Sequence, residues 1–527
     1  VKRLPILNNQ NGGGVDSPTS SITFRASFLH MAGLALLDAI ALWIVFSLLG
    51  NGAISAGIIV LIVTGLINWV FISDRLYPIR WLTPGLVLML LLVVYPLVFT
   101  VYIAFTNYSD GHILSKQQVV NQLQRRYFQP LEAVSYQMTV YRSPEGKFLL
   151  LLLDPQGNYY TGSEEEGIQD HQVGGEPPVS IGPYQRLSLA DTFQYLTALE
   201  KIQVKGDEFQ VLITGPNKAR QALPKYTYDS NQDLLIDNET AEVYRPGDGF
   251  FVDNEGKPLP NEPGFTNFIG LDNFRRVFSD PQIQGPFLKV FIWTVTFAAM
   301  TVLLTFSVGL LLALVLNDKR LPMRAMFRSI AIIPYTIPGF ISILIWVGLF
   351  NPYYGPFSLM IENLIGVSPD WFSNGTLTKV VILFINTWLG YPYMMLICLG
   401  ALQSIPQEMY EAAELDGASR FAKFRYLTLP LLLISVGPLL IGTFAFNFNN
   451  FTVIDLVNEG GPPLVGASTP AGQTDILISY TYRLAFAGGR GADFGLASTI
   501  AIFIFIIIAS LTAFNFRFTR QLEEVMR

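Results

Sequence analysis

The chain of 527 residues holds one cysteine, Cys398, and three histidines, His30, His112 and His171. A single thiol excludes an internal disulfide and a cysteine-based metal site, and the histidines are scattered without ligand spacing, so no metal centre is expected. The chain has no Gly-x-x-x-x-Gly-Lys-[Ser/Thr] phosphate loop, so any nucleotide must be hydrolysed elsewhere. It has no histidine-containing triad and no carboxylate pair at a useful spacing, and Glu164-Glu165-Glu166 reads as a solvated acidic turn. No catalytic residue is expected. Charge is scarce too: 14% of residues are charged and 51% hydrophobic, with a mean hydropathy of +0.39. That composition excludes both a disordered chain and an ordinary soluble domain.

Long apolar runs take the place of charge. Several exceed the roughly 18 residues needed to cross about 30 Å of hydrocarbon. Eight spans are expected, at 28–49, 53–73, 82–104, 287–316, 326–350, 378–402, 430–450 and 493–515. The first is read as a retained span rather than a cleaved leader, because a second span follows at once and no small-residue cleavage site stands out. Basic residues set the orientation. Lys2, Arg3 and Arg25, then Arg75 and Arg80, then Lys319, Arg320, Arg324 and Arg328 share one side with Arg420, Lys423, Arg425, Arg517, Arg520 and Arg527. The opposite 351–376 loop has no Lys or Arg, and the 452–490 loop has only Arg483 and Arg490. Both termini are therefore expected in the cytoplasm.

Between the third and fourth spans lies a polar insertion. Residues 110–280 carry 24 of the 40 acidic residues of the chain but only 15 of its 34 basic ones. Short apolar runs, Phe148–Leu153, Glu208–Ile213 and Gly249–Val252, are separated by turn sequences such as Gln156-Gly157-Asn158, Gly215-Pro216-Asn217 and Asp253-Asn254-Glu255-Gly256. The pattern predicts a mainly β extracytoplasmic domain with helices near 114–127 and 190–203. It suits an attachment surface for another soluble protein, or a passive insertion. The expected organisation is 1–108 (tail and three spans), 109–281 (insertion) and 282–527 (five spans, with a polar loop at 404–430).

That loop has the most specific pattern. Ser404 and Gln407 have capping-box spacing, Pro406 suits a first helical turn, and Gly417 permits a sharp turn into a second short helix, 419–427, that Pro430 would stop. The apolar Met409, Leu415, Phe421 and Phe424 are more than a solvated loop needs. The spacing of Glu411-Ala412-Ala413, then Gly417, then Leu427-Thr428-Leu429-Pro430 resembles the coupling loop of permease subunits in bacterial ABC importers. In that family this loop docks into a cleft of a separate ATPase subunit. The resemblance implies coupling roles for Glu411, Ala412, Ala413, Gly417, Leu427, Leu429 and Pro430. It also implies the type I importer permease fold, a polytopic α-helical membrane protein of about eight spans in the bacterial cytoplasmic membrane.

Further blocks narrow the resemblance to the large maltose/maltodextrin permease subunits. They are Phe105-Thr106-Asn107-Tyr108-Ser109, Phe340–Ile345, Asn386–Met395, Phe444–Phe451, Thr469-Pro470-Ala471-Gly472 and Tyr480–Arg483. Their chemistry suits a sugar, which stacks on aromatic faces and hydrogen-bonds to amides. Trp388 and Tyr393 flank Gly390 and Pro392, which are expected to deform the helix. Asn447 and Asn450 are expected at i, i+3 on one helical face beside Phe446. The same residue types also serve helix–helix packing in membranes. The resemblance implies Tyr335, Gly339, Trp388, Leu389, Gly390, Tyr393, Phe446, Asn447 and Asn450 as substrate contacts; at Gly339 the maltose subunits have serine. It further implies a second permease subunit, two ATPase copies that bind ATP and magnesium, and an extracytoplasmic sugar-binding protein. No cofactor is expected in this chain. Trehalose, another disaccharide or a glucosyl-polyol are alternative cargoes. A membrane glycosyltransferase would need a catalytic constellation that is absent, and a secondary transporter would need membrane-embedded ionisable residues, of which the spans have almost none.

Overall fold

A computed structural model describes residues 19–50, 54–172, 175–202, 204–206, 209–486 and 491–525. Lys2, Arg3, Arg490, Arg527 and the start of the 208–213 run lie outside the described residues. The chain divides into two compact units, Val1–Thr100 and Val101–Arg527.

In the first unit, the helices Thr19–Gly50 and Ile54–Ile72 are joined by a hydrogen bond from Asn68 to Asp38 Oδ1 at 2.6 Å. This bond satisfies the only carboxylate of the first helix. The next helix runs Tyr77–Ala104 with a π turn, Leu90–Val94, inside it. A second π turn, Phe424–Thr428, lies inside the continuous helix Arg420–Phe448. Each π turn ends two residues before a proline, Pro96 or Pro430. A proline ring clashes with the carbonyl four residues back, here in the π turn, and the wider turn moves that carbonyl aside. Pro430 therefore does not stop the second elbow helix, as the sequence suggested. It sits in the first turn of Leu429–Phe448, and the elbow runs straight on into the membrane.

Among the described residues six of the expected spans are helices long and apolar enough to cross a membrane: Met31–Gly50, Tyr77–Ala104, Pro281–Asn317, Gly375–Ser404, Arg420–Phe448 and Phe494–Asn515. The second apolar stretch is a shorter helix, Ala56–Ile72, and the expected span 326–350 is broken into Arg324–Thr336 and Gly339–Leu349, bent by 92°. The bend falls at Ile337 and Pro338, whose ψ angles of 132° and 127° are extended. Pro338 lacks an N–H and disfavours helical geometry in the residue before it, so the ladder ends there. Gly375–Ser404, in contrast, passes through Gly390 and Pro392 without a break. Gly390 serves close packing instead: a Cβ there would stand 2.8 Å from Thr305 Cγ2, and one at Gly309 would stand 2.7 Å from Met394 Cβ. These two glycines let the Pro281–Asn317 and Gly375–Ser404 helices lie against each other.

The insertion is mainly β, as expected. Its larger sheet has ten strands, with the central path Gly167–His171, Tyr159–Ser163, Phe148–Leu153, Ser135–Arg142, Lys218–Pro224, Gln210–Gly215 and Val204–Lys205. All neighbours on this path are antiparallel. Phe148–Leu153 is apolar throughout because both of its faces are covered. Leu150 and Leu152 pack with Met138, Val140 and Val211, while Leu149 and Leu151 pack with Tyr141. A four-stranded sheet, Tyr226–Asp229 to Phe250–Val252, packs with the helix Lys116–Leu123, whose Ser115/Gln118 capping box is formed. The second expected helix is present as Leu189–Gln194 and Leu196–Leu199.

The Phe105–Ser109 block ties the insertion to the membrane helices. Asn107 pairs through its backbone N–H with Asn267 O and through Oδ1 with Asn267 N–H, and buried Asn273 donates to Ala104 O and Thr106 O at 3.0 and 2.8 Å. Gly495, in the last long helix, donates its N–H to Tyr108 O. Chain reversals at both ends of the insertion are thereby fixed to one helix bundle.

Beyond Asn458, a loop closes over Asp475, which is fully buried. Its carboxylate accepts from Gly472 N–H at 2.6 Å and Ser479 Oγ at 2.8 Å, and faces the Arg483 guanidinium at 3.3 Å. Burial pushes its pKa up to about 6, against the opposing pull of Arg483. A raised folded-state pKa adds stability that is fully present below the unfolded value of about 3.9 and is lost as pH rises through about 6. The detergent-solubilised protein should therefore gain thermal stability between pH 7 and pH 5, and Asp475→Asn should flatten that part of the profile. An unchanged slope in Asp475→Asn would assign the pH dependence to another group.

Candidate functional site

Side-chain periodicity brings one face of each of four helical segments to a single cavity of about 660 Å³. On Gly375–Ser404 the lining residues are Asn386, Leu389, Gly390 and Tyr393, a 0, 3, 4, 7 helical stripe. Arg324–Thr336 and Gly339–Leu349 contribute Pro334, Tyr335, Gly339, Phe340 and Ile343, and Leu429–Phe448 contributes Pro438, Leu439, Gly442, Thr443, Phe446 and Asn447. Asn450, Thr452 and Val453 complete it with Thr305. The 92° break thus lies at the cavity wall. Non-helical backbone at membrane depth is tolerated where it lines such a space.

Eight of the nine residues named from the sequence line this cavity. Trp388 does not. It lies off the Asn386–Tyr393 stripe, and its ring packs edge-on to Trp346 at 5.6 Å. Asn447 and Asn450 are neighbours, but not on one helix face as expected. The helix ends at Phe448, and Asn450 stands at the N-cap position of Phe451–Asn458.

The residue that sequence reasoning missed is Asn386, buried at the centre of the polar wall. Its amide donates to Asn447 Oδ1 at 2.8 Å and to Thr301 Oγ1 at 3.1 Å, and its Oδ1 accepts from Asn450 at 3.2 Å. Asn447 in turn donates to Thr443 O at 2.8 Å. The helical stripe that includes Leu389, Gly390 and Tyr393 would have found it. Low-dielectric surroundings make such a network strong when complete and costly when broken. The network holds the wall in one arrangement and leaves the half-buried Asn450 at its edge to meet a solute. Tyr335, Tyr393 and Phe446 expose aromatic surface around it. Among the described residues no Asp, Glu, Lys, Arg or His lines the cavity. Aromatic faces and amides without charge suit a neutral, hydroxyl-rich solute.

The second site is the elbow. Helix Gln407–Leu415 begins after Pro406, which takes the N-cap position without a side-chain cap. The expected capping box is not formed: Ser404 ends the preceding helix and donates to Ala401 O at 2.8 Å. The helix closes in a Schellman motif, with Ala418 N–H on Ala413 O at 2.9 Å and Gly417 N–H on Glu414 O at 3.0 Å. Gly417 has φ +77°, where a side chain is strained. Ser419 then caps the next helix by accepting from Ala422 N–H at 3.2 Å. Across the turn Lys423 pairs with Glu414, holding that carboxyl below its usual range. Tyr410 and Thr428 hydroxyls meet at 3.0 Å. Glu411, Ala412 and Gly417 are exposed and Ala413 and Leu427 half-buried, while Leu415 is 91% and Phe421 68% exposed. A rigid elbow with bare apolar side chains is a surface made for contact.

Apolar helices long enough to cross a membrane, an uncharged cavity among them and an elbow with exposed apolar side chains have the layout of a multi-pass membrane permease. Residues 305–523 match the family described as the binding-protein-dependent transport system inner membrane component, and residues 87–165 match the N-terminal part of the transmembrane subunit in such ABC transporters. The maltose/maltodextrin transport system permease protein MalF of Vibrio vulnificus strain YJ016 is 38% identical over 97% of this chain and 98% of its own. The MalF of Klebsiella aerogenes is 39% identical over 93% and 96%. Among solved structures, a bacterial ABC transporter involved in the import of the acidic polysaccharide alginate matches 48% of this chain and 84% of its own at 22% identity, with a TM-score of 0.41. The chain belongs to the MalF family of inner-membrane permease subunits.

Asn386→Ala should leave Asn447 Oδ1 and Thr301 short of a donor, at a cost of about 1–3 kcal/mol. A clear fall in the melting temperature of the purified protein is expected; unchanged stability would mean that the three amides are not coupled.

Proposed function

We propose that this chain is the larger permease subunit of an ATP-driven importer that carries maltose and maltodextrins into the cytoplasm by alternating access. The observation that carries the reading is the uncharged cavity walled by aromatics and amides, in a chain similar to MalF proteins along nearly its whole length. Tyr335, Gly339, Leu389, Gly390, Tyr393, Phe446, Asn447 and Asn450 would contact the sugar directly. Trp388 would support the wall through Trp346. A smaller permease subunit would close the other side of the path, and two ATPase subunits binding ATP and magnesium would supply the energy. An extracytoplasmic binding protein would deliver the sugar, docking in part on the 109–281 insertion. The basic residues on the elbow side support cytoplasmic termini.

The elbow's connection supports the coupling role. Arg420–Phe448 starts in the elbow and ends at the cavity. Its 29 residues span about 43 Å as a helix. When the ATPase subunits close, a force on Leu415 and Phe421 would pass along this one element to Phe446 and Asn447, the wall nearest the sugar. Glu411, Ala412, Ala413 and Gly417 would form the docking face, and Leu427, Leu429 and Pro430 would join it to the lever.

The deciding experiment is ATPase activity of the reconstituted complex with its binding protein across maltose, maltotriose and trehalose. Stimulation by maltose and maltotriose is expected; stimulation by trehalose alone would keep the machine and reassign the cargo. In the same complex Asn450→Ala should weaken uptake roughly five- to tenfold, the equivalent of one hydrogen bond, and leave basal ATPase intact. Normal uptake would remove Asn450 from the sugar contacts. Gly417→Val, strained at a positive φ, should abolish sugar-stimulated transport in a complex that still assembles. Full transport by that complex would argue that the elbow does not carry the coupling.

A further inference from the structure

A second cavity, of about 480 Å³, lies where the Pro281–Asn317 and Gly375–Ser404 helices leave the membrane on the side of the insertion. Lys289, Trp293 and Thr296 line it from the first helix, Lys379 from the second, and Leu464 and Gln473 from the loop above. The helices run side by side in parallel, as the close approaches of Thr305 to Gly390 and of Gly309 to Met394 require. Each lysine is the last charged residue before an uncharged run, Val290–Asn317 or Val380–Ser404. Either run exceeds the roughly 20 residues that span the hydrocarbon. In this register Lys379 stands level with Thr294, about 7.5 Å further along the bundle than Lys289, and both side chains line the one cleft near the N-terminal ends of the two helices.

Neither lysine forms an ion pair among the described residues. Lys379 is half-buried, with its Nζ 4.7 Å from the centre of the Trp293 ring. The Trp293 N–H is bonded to Thr474 O at 3.0 Å, which fixes the ring under the ammonium. Ile292, which also lines the cleft, and Val295 turn apolar side chains outward. Two unpaired cations held over an exposed apolar strip match a phosphate carried on an acyl chain. They lie on the side where short loops are otherwise poor in Lys and Arg, so chance surface charge does not account for them.

We propose that this cleft binds the headgroup phosphate of an anionic phospholipid in the leaflet on the insertion side, with Lys289 and Lys379 as the phosphate ligands and Trp293 as the floor. The site is separate from the sugar cavity and does not depend on the cargo. The test is lipid retention by the purified complex, read by native mass spectrometry during titration with phosphatidylglycerol or phosphatidylcholine. Wild type and K289R/K379R should hold phosphatidylglycerol in preference to phosphatidylcholine, and K289Q/K379Q should lose that preference by about tenfold. Should the double variant not assemble, K289Q alone, at an exposed position, should lower it severalfold. Equal retention by the glutamine variant, or no preference between the two lipids in wild type, would overturn the proposal. Displacement of the lipid by millimolar inorganic phosphate would assign the cleft to a free anion and also overturn it.

Discussion

A polar group inside a bilayer must find its partner within the protein, and this requirement decides how the chain is built. Asp38 is held by Asn68. Thr294, Thr305, Thr387 and Thr443 return their hydroxyls to carbonyls one turn back in their own helices. Where side chains could not do so locally, the fold gathers them: Asn386, Asn447 and Asn450 come from two helices and the start of a third to satisfy one another. The cavity lies beside this cluster, and all three residues line it. The break at Ile337 and Pro338 is consistent with the same rule, since Ile337 and its neighbours Tyr335 and Gly339 line that space.

Proline acts in two opposite ways in this chain, and the difference has a physical source. At Pro338 the preceding residue is extended and the helix is broken. At Pro96 and Pro430 a π turn absorbs the ring and the helix continues. Continuity at Pro430 matters most, because a helix stopped there would separate the elbow from the membrane by a hinge. As built, the Schellman turn at Gly417, the Lys423–Glu414 pair and the Tyr410–Thr428 contact brace the lever at its outer end. The amide cluster braces it at its inner end. Under the coupling role proposed for the elbow, an element braced at both ends would transmit displacement instead of dissipating it in a loop.

Much of this was legible in the sequence, for reasons that differ by element. The spans follow from hydropathy, and the β insertion from short apolar runs between turn residues, because both signals are local. The residues that line the cavity were named largely by resemblance, and the place of Trp388 outside the lining shows what local pattern adds. Its neighbours Asn386, Leu389, Gly390 and Tyr393 share a helical stripe and it does not, so periodicity separates wall from support. The role of Pro430 was not legible, because a proline alone does not reveal whether the preceding turn will widen. Nor was the role of Gly390, which depends on Thr305 of another helix.

The Phe105–Ser109 block gains its meaning only in three dimensions. It reads as a polar patch after a span, yet its backbone groups pair with residues near 267 and 495 that are far away in sequence. Asn273 adds two further bonds to carbonyls at the end of the third span. A large insertion held by one flexible link would move independently of the bundle. Held by both of its connections and by the start of the last long helix, it has to follow the helices that carry it. Under the proposed function, a binding protein docked on the insertion would therefore act on the helix bundle itself rather than on a free appendage.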